Sequence, residues 1–364
     1  MGFGASGRNG GQIHTGLRKE QTELEKWLGP IHARELWSLT EEAKRLVFEL
    51  VERHSIDCQL ARGLVIAAHN HRAARALAMD AEHLAKSYAY ASLRMLGSEE
   101  TRAALGTGIY PASRFDTGGG HLHPLRFVQG LATAAERAGA TIFEHSSAVE
   151  LQSTTGSVVV RTPAGRVTAD QAVLATDAFS GTLAPELAPF IAHVESFVTA
   201  TAPIPPDIAP AVLPSNAAVA DTRHVLDYYR KSTDGRLLFA GRESYFRPPR
   251  DIVALVRPRM LKVYPQLTSV PTEYGWSGTV GITRTRMPHF GQLGPRVRFA
   301  HGYSGQGVAL ACLGGKLLAE AASGDSARFD VFARVPAKAF PGGAYLRQPL
   351  VVAALLAFKV LDAL

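Results

Sequence analysis

Apolar residues recur at helical spacing from about Thr22 to Arg53, with Leu24, Leu28, Leu36, Leu39, Ala43, Leu46, Val47 and Leu50 on one face. Gly29-Pro30 interrupts the run, and the one-sided stripe predicts a helix laid on a sheet. Leu60 to Ala68 reads as a strand around Gly63, Arg72 to Ala91 as a helix, and Tyr110 to Gly120 as a turn-rich stretch. Pro124 to Gly139 patterns as a helix closed by glycine, followed at once by a short strand over Thr141-Ile142-Phe143-Glu144. Such a helix-to-strand step belongs to an α/β sheet. Val158 to Arg161 with Gly165-Arg166-Val167 predicts a hairpin, and Gln171 to Thr176 a buried strand running into a loop at Asp177.

The middle third has another texture. Pro203, Pro205, Pro206, Pro210 and Pro214 punctuate it, and Val225 to Tyr229 and Arg236 to Ala240 alternate like antiparallel strands joined at Thr233-Asp234-Gly235. Residues from about 187 to 290 therefore read as a second domain on an antiparallel sheet. The last third returns to the first pattern. Val297 to Ala300 predicts a strand, Gly302-Tyr303-Ser304-Gly305-Gln306-Gly307 a tight turn, and Val308 to Ala322 a helix. A helix starting there aims free N–H groups and its positive dipole end at an electron-rich group, although an ordinary βα turn has the same letters.

Composition narrows the class. A length of 364 residues suggests about two domains, or one large α/β domain. With 46% hydrophobic and 20% charged residues, a disordered or fibrous chain does not fit. Lys and Arg outnumber Asp and Glu by 39 to 32, and this excess of +7 is spread along the chain, favouring an anionic small ligand over nucleic acid. Cys58 and Cys312 make no C-x-x-C, so a reducing, cytoplasmic setting without structural zinc is expected. The longest apolar run, Leu350 to Phe358, is shorter than the ~20 residues of a membrane span and reads as a docking helix. No leader is expected after Met1. His69 with His71, and His121 with His123, lack a carboxylate or thiolate at ligand spacing and read as turn and surface histidines.

Gly2-Phe3-Gly4-Ala5-Ser6-Gly7 spells G-x-G-x-x-G, a fingerprint with meaning only after a strand and before a helix. Arg8-Asn9-Gly10-Gly11-Gln12 extends the glycine run instead. The better reading is a loop whose backbone closely approaches a ligand.

Gly4 to Gln12 resembles the loop after the second strand in FAD-dependent amine and amino-acid oxidoreductases of the D-amino-acid oxidase superfamily, closest to the gamma-glutamylputrescine oxidoreductase branch. Further segments agree in order: Gly119-Gly120-His121-Leu122-His123-Pro124, Asp221-Thr222-Arg223 with Leu226-Asp227-Tyr228-Tyr229-Arg230, Trp276-Ser277-Gly278 with Met287-Pro288-His289-Phe290-Gly291, Gly302 to Val308, and Phe340-Pro341-Gly342-Gly343. The likeness spans essentially the whole chain. It implies a two-domain α/β flavoprotein. Residues 1–55, 124–186 and 291–335 would form a doubly wound FAD-binding part, 56–123 and 187–290 a substrate domain with a mixed or antiparallel sheet, and 336–364 a C-terminal docking helix. The implied reaction passes hydride from the carbon beside a small-molecule amine to flavin N5. The imine formed is hydrolysed, and oxygen, or an electron carrier in its place, reoxidises the flavin. The cofactor carries that chemistry, while the protein positions the amine carbon and excludes water.

By the same resemblance Ala5, Ser6, Gly7, Asn9, Gly10 and Gly11 line a non-covalent FAD, Val149 sets its backbone beside the adenine, and Thr176 ends a neighbouring strand. Gly302, Tyr303, Ser304, Gly305, Gln306, Gly307 and Val308 face the ring's N1 and O2 edge. Tyr229, Arg230 and Trp276 are assigned to the substrate face, with Arg230 available to a substrate carboxylate. Core packing for the two aromatics and an ion pair for Arg230 stay open as alternatives. Several features depart from the family pattern. The opening strand, glycine fingerprint, helix and second strand are not found before Gly4, so either the start codon is assigned too late or the chain is a shortened descendant with impaired FAD binding. A catalytically silent binding protein is then the alternative function. Gln306 stands where relatives often have His, and Gly278 to Arg284 offers no flavin-linking cysteine. Oligomeric state is left open.

Overall fold

The computed structural model describes residues 1–181, 183–244, 249–343, 349–350 and 352–353, so most of the expected docking helix at 336–364 lies outside the described residues. The helices are α1 (Ala5–Arg8), α2 (Gln21–Leu28), α3 (Pro30–Arg53), α4 (His71–Tyr88), α5 (Ser98–Leu105), α6 (Pro124–Arg137), α7 (Ile252–Val263), α8 (Gly307–Ala322) and α9 (Ala327–Ala333). The strands are β1 (Gln12–Ile13), β2 (Ala61–Ala68), β3 (Leu93–Leu96), β4 (Ala112–His121), β5 (Glu150–Ser153), β6 (Val158–Thr162), β7 (Gly165–Ala169), β8 (Ala172–Leu174), β9 (Ile191–Thr201), β10 (Ala218–Asp221), β11 (Tyr228–Lys231), β12 (Leu237–Ser244), β13 (Thr272–Thr283), β14 (His289–Leu293) and β15 (Val297–His301).

The first amphipathic run divides where its letters say it should. Gly29 adopts φ +85° and Pro30 opens α3, which buries Leu36, Ala43 and Val47 in one cluster with Leu313 and Leu317 of α8. A large mixed sheet runs β1-β4-β2-β10-β11-β12-β9-β13, with β3 also on β4. Among the described residues its one parallel pair is β2 with β10, and its longest ladder joins β9 to β13. A second sheet orders β14-β15-β8, with β15 parallel to β8, and β5-β6-β7 is a separate meander.

Three sequence expectations change. Tyr110 to Gly120 holds β4, bonded to β1, β2 and β3, rather than a string of turns. Its glycines answer to crowding: an added Cβ would stand 2.8 Å from Leu64 Cβ at Gly119 and 2.4 Å from the Ala61 carbonyl oxygen at Gly120. Thr141 to Glu144 forms no strand and lies mostly exposed, with no ladder to take up its backbone groups. The strand expected over Gln171 to Thr176 shortens to β8, where Leu174 is buried but Val173 is 44% exposed.

Beneath β1 the chain is pinned by a buried polar network. Lys44 Nζ donates to Thr15 Oγ1 (2.7 Å) and the Tyr90 hydroxyl (2.8 Å) and pairs with Glu41 (2.8 Å). Tyr90 donates to Asp116 Oδ1 (2.7 Å), which also accepts the Gly118 N–H (2.8 Å), while Thr15 donates to the other Asp116 oxygen. With every buried charge partnered, the segment from Gln12 to Arg18 leaves the sheet in a fixed direction.

Candidate active site

The glycine loop is built by its own side chains. Asn9 Nδ2 donates to the Ala5 and Ser6 carbonyls (2.9 and 3.0 Å), closing α1, and its Oδ1 accepts the Gly11 N–H (2.7 Å). Two residues of the large sheet hold the loop from outside. Trp276 Nε1 donates to the Arg8 carbonyl (2.9 Å), and Arg230 Nε donates to the Gly10 carbonyl (2.8 Å). Arg8 answers with a bond to the Ser277 carbonyl (3.2 Å). Gly10 itself faces the Tyr228 ring, which an added Cβ would meet at 2.6 Å.

On the other side lies the Gly302–Gly307 turn. Gly302, Ser304 and Gly305 all have positive φ, and the Gln306 N–H bonds back to the Tyr303 carbonyl (3.0 Å). Gln306 precedes α8 without a side-chain cap, and the helix has no acidic residue in its first turn. Gln306 is buried, and its Oε1 has no partner among the described residues. Open helix amides beside an unpartnered buried amide oxygen fit the pyrimidine edge of a flavin, which offers both acceptors and an N–H.

Motif reading did not find the two arginines Arg18 and Arg286, which act on one another. Burial lowers Arg18 to about 10, with the Arg286 charge adding to the effect and Glu243 opposing it. Arg18 is exposed and Arg286 half-buried, and neither guanidinium has a hydrogen bond or ion pair among the described residues. His14, which feels the Arg18 charge, is held down to about 4, chiefly by burial, and is neutral at pH 7. Its Nε2 meets Gln12 Oε1 at 3.0 Å. Tyr228, whose hydroxyl reaches Ser196 Oγ (3.1 Å), shares Glu243 as a neighbour with Arg18. Thus two cations, Arg18 and Arg286, stand beside neutral His14 and Tyr228, with Glu243 as the nearby anion.

The three residues expected on the substrate face each have structural contacts of their own. Tyr229 is 1% exposed, stacked on Phe239 (5.4 Å) and edge-on to Tyr264 (5.6 Å), because strand alternation turns it to the face opposite Tyr228. Arg230 is spent on Gly10 and the Lys231 carbonyl and is 3% exposed. Trp276 reaches the loop through its indole N–H. Thr176 bonds Ser180 (3.0 Å) just before Asp177, whereas Val149 stands 55% exposed at the head of the β5-β6-β7 meander. His123 caps α6, and buried His121 donates from Nε2 to the Asn216 carbonyl (2.9 Å), so it is not the surface histidine its letters suggest. Trp276→Phe removes one hydrogen bond worth ~1 kcal/mol, so FAD affinity should fall about fivefold with little change in melting temperature. Titrating flavin fluorescence against the variant measures it.

A large mixed sheet joined to a smaller layer that presents a glycine turn and an open helix end is the architecture of an α/β flavoprotein oxidoreductase. The chain belongs to the DAO family of FAD dependent oxidoreductases, whose model matches residues 1–321. It is 40% identical over 363 residues to a probable oxidoreductase, OrdL, of Rhizobium meliloti, covering 100% of this chain and 84% of that protein. It is 37% identical over 366 residues to gamma-glutamylputrescine oxidoreductase of Escherichia coli, covering 100% and 85%. Among solved structures, glycine oxidase from Geobacillus kaustophilus superposes with TM-score 0.74 at 20% identity, over 89% of this chain and 85% of that one. L-amino acid deaminase from Proteus vulgaris gives 0.71 at 16% identity, over 91% and 84%. These structural likenesses carry the fold.

Proposed function

We propose that this protein oxidises the carbon–nitrogen bond of a small amine that also carries a carboxylate, of the gamma-glutamylputrescine or amino-acid kind. The observation that carries the reading is the Arg18–Arg286 pair: two neighbouring guanidiniums, one exposed and one half-buried, with no ion pair among the described residues. Leaving like charges together and unpaired costs stability, and a substrate carboxylate offsets that cost. The 37% identity to gamma-glutamylputrescine oxidoreductase supports the same class.

With FAD bound, the chemistry supplied is acceptance of a hydride from the carbon beside the amine, with oxygen taking the electrons afterwards and leaving as hydrogen peroxide. The chain's own groups do the rest. Loop residues Ala5 to Gly11, held by Trp276 and Arg230, would present backbone to the cofactor, and the first amides of α8 would face its pyrimidine edge. Arg18 and Arg286 would fix one end of the substrate, so that the amine end meets the ring in a single orientation. Tyr228 walls the space and limits water. Neutral His14 adds no third positive charge that would repel a substrate ammonium.

The test is anaerobic bleaching of the FAD-loaded protein by gamma-glutamylputrescine and by putrescine, followed by admission of air and assay of peroxide. Bleaching by the carboxylate-bearing amine alone, with peroxide on reoxidation, is expected. Equal bleaching by putrescine would refute a carboxylate-selective site, and bleaching without peroxide would point to an electron carrier.

A further inference from the structure

Asp177 sits where the chain leaves β8, with φ +43°, a left-handed conformation that costs a residue with a Cβ about 1 kcal/mol. Its side chain is what the position gains. Asp177 Oδ2 accepts the Gly281 N–H (3.0 Å) from the end of β13, and Oδ1 accepts the Gly302 N–H (2.8 Å) from the turn before α8. Both donors are shaped for this approach. A Cβ on Gly281 would stand 2.9 Å from both Asp177 oxygens, and Gly302 has φ +72° with Thr283 Cγ2 only 2.4 Å from an added Cβ. The same two segments are tied again by the Ser304 N–H to the Gly281 carbonyl (3.1 Å) and the Thr283 N–H to Ser304 Oγ (3.3 Å). Thr283 in turn holds the Arg286 N–H (3.1 Å) and donates to the Met287 carbonyl (2.7 Å).

We propose that Asp177 is a positioning residue: a half-buried carboxylate clasp that locks the end of β13 to the Gly302 turn, and so sets Arg286 and the open end of α8 at a fixed separation. One carboxylate then fixes both the anion-binding face and the helix end that faces the flavin. No cationic side chain bonds it among the described residues, so backbone amides alone balance its charge. With a flavin seated at the open end of α8, an anion held in the adjoining turn would disfavour the reduced form. The clasp itself stands without the cofactor, whereas its effect on potential rests on the flavin reading above.

Three variants separate the clasp from a mere turn. Asp177→Gly relieves the left-handed strain and removes both acceptors. Asp177→Asn keeps the shape but turns one acceptor into a donor, and Asp177→Ala removes both while keeping the strain. Hydrogen exchange by mass spectrometry on the full chain, with and without added FAD, should show protection across 276–284 and 299–308 falling about tenfold or more in all three variants. Peptides of α3 and β4 serve as unchanged references. In FAD-loaded Asp177→Asn the flavin midpoint potential should rise, a change that loss of packing alone does not predict. Wild-type protection in Asp177→Gly would overturn the clasp, because the side chain would then be dispensable once the backbone is relaxed. An unchanged or lowered potential in Asp177→Asn would overturn its electrostatic part. Since exchange is read without substrate or turnover, loss of the carboxylate-amine reading leaves this outcome intact.

Discussion

Arg18→Gln should lower kcat/KM for a carboxylate-bearing amine by about a hundredfold, while activity on an amine of similar length without a carboxylate changes little. The figure follows from removing a charge-assisted bond, worth ~3 kcal/mol once bound substrate covers the site, where ~1.4 kcal/mol is a factor of ten. Burial of its surroundings and the Arg286 charge already pull Arg18 down to about 10, although the side chain itself is exposed to an incoming carboxylate. Most of the loss should fall on KM if the carboxylate is held alike in ground and transition states, and on kcat if Arg18 chiefly sets the hydride geometry. Arg18→Lys keeps the charge without the planar fork and should recover part of the activity. Folding should be little affected, because Arg18 has no hydrogen bond or ion pair to lose among the described residues and its removal relieves repulsion with Arg286. A near-equal loss on both amines would show that Arg18 orders the loop instead of reading the substrate. Steady-state kinetics on the paired substrates decides between them.

Much of this arrangement was legible in the letters, for identifiable reasons. Elements with long one-sided periodicity, α3 and α8, were placed well because amphipathicity is local information. Ordered glycine motifs pointed to the loop and the turn because backbone that approaches a ligand or another backbone must lack a Cβ. What failed was non-local. The glycines of β4 look like turn formers until Leu64 and Ala61 are seen across the ladder. Tyr228 and Tyr229 are indistinguishable in sequence, and only register decides which one meets Gly10. Arg230 was the plausible anion ligand, yet its partner is the Gly10 carbonyl, 220 residues away in sequence. Arg18 lacked a motif of its own. A cue was available in its position seven residues beyond Gly11, since a cation so near a ligand-approaching loop is a candidate in its own right. Asp177 is a similar case, for an acidic residue directly after a short strand gives no hint that two distant glycines converge on it.

Gly11→Ala should cost the protein its FAD binding, with dissociation constants raised a hundredfold or more and a clearly lowered melting temperature. Two effects add at this position. The residue has φ +76°, which costs an alanine ~1–2 kcal/mol, and its new methyl would stand 1.9 Å from the Leu122 carbonyl oxygen and 3.3 Å from Pro124 Cδ. That carbonyl belongs to backbone entering α6 and has no rotamer with which to escape. Leu122 is further bound through its own N–H to the Gly11 carbonyl (2.9 Å), so loop and strand end must separate together. Gly305→Ala is the control: it has φ +90° but nothing within 4 Å of an added Cβ, and should show the conformational cost alone, about a tenfold effect or less. Gly10→Ala lies between, since the Tyr228 ring 2.6 Å from its methyl can turn aside. Flavin titration and thermal denaturation of the three variants should therefore rank Gly11→Ala far above Gly10→Ala, and Gly10→Ala above Gly305→Ala. If Gly11→Ala and Gly305→Ala lose equally, positive φ rather than contact with the Leu122 carbonyl governs the loop, and the close approach would not be what selects glycine there.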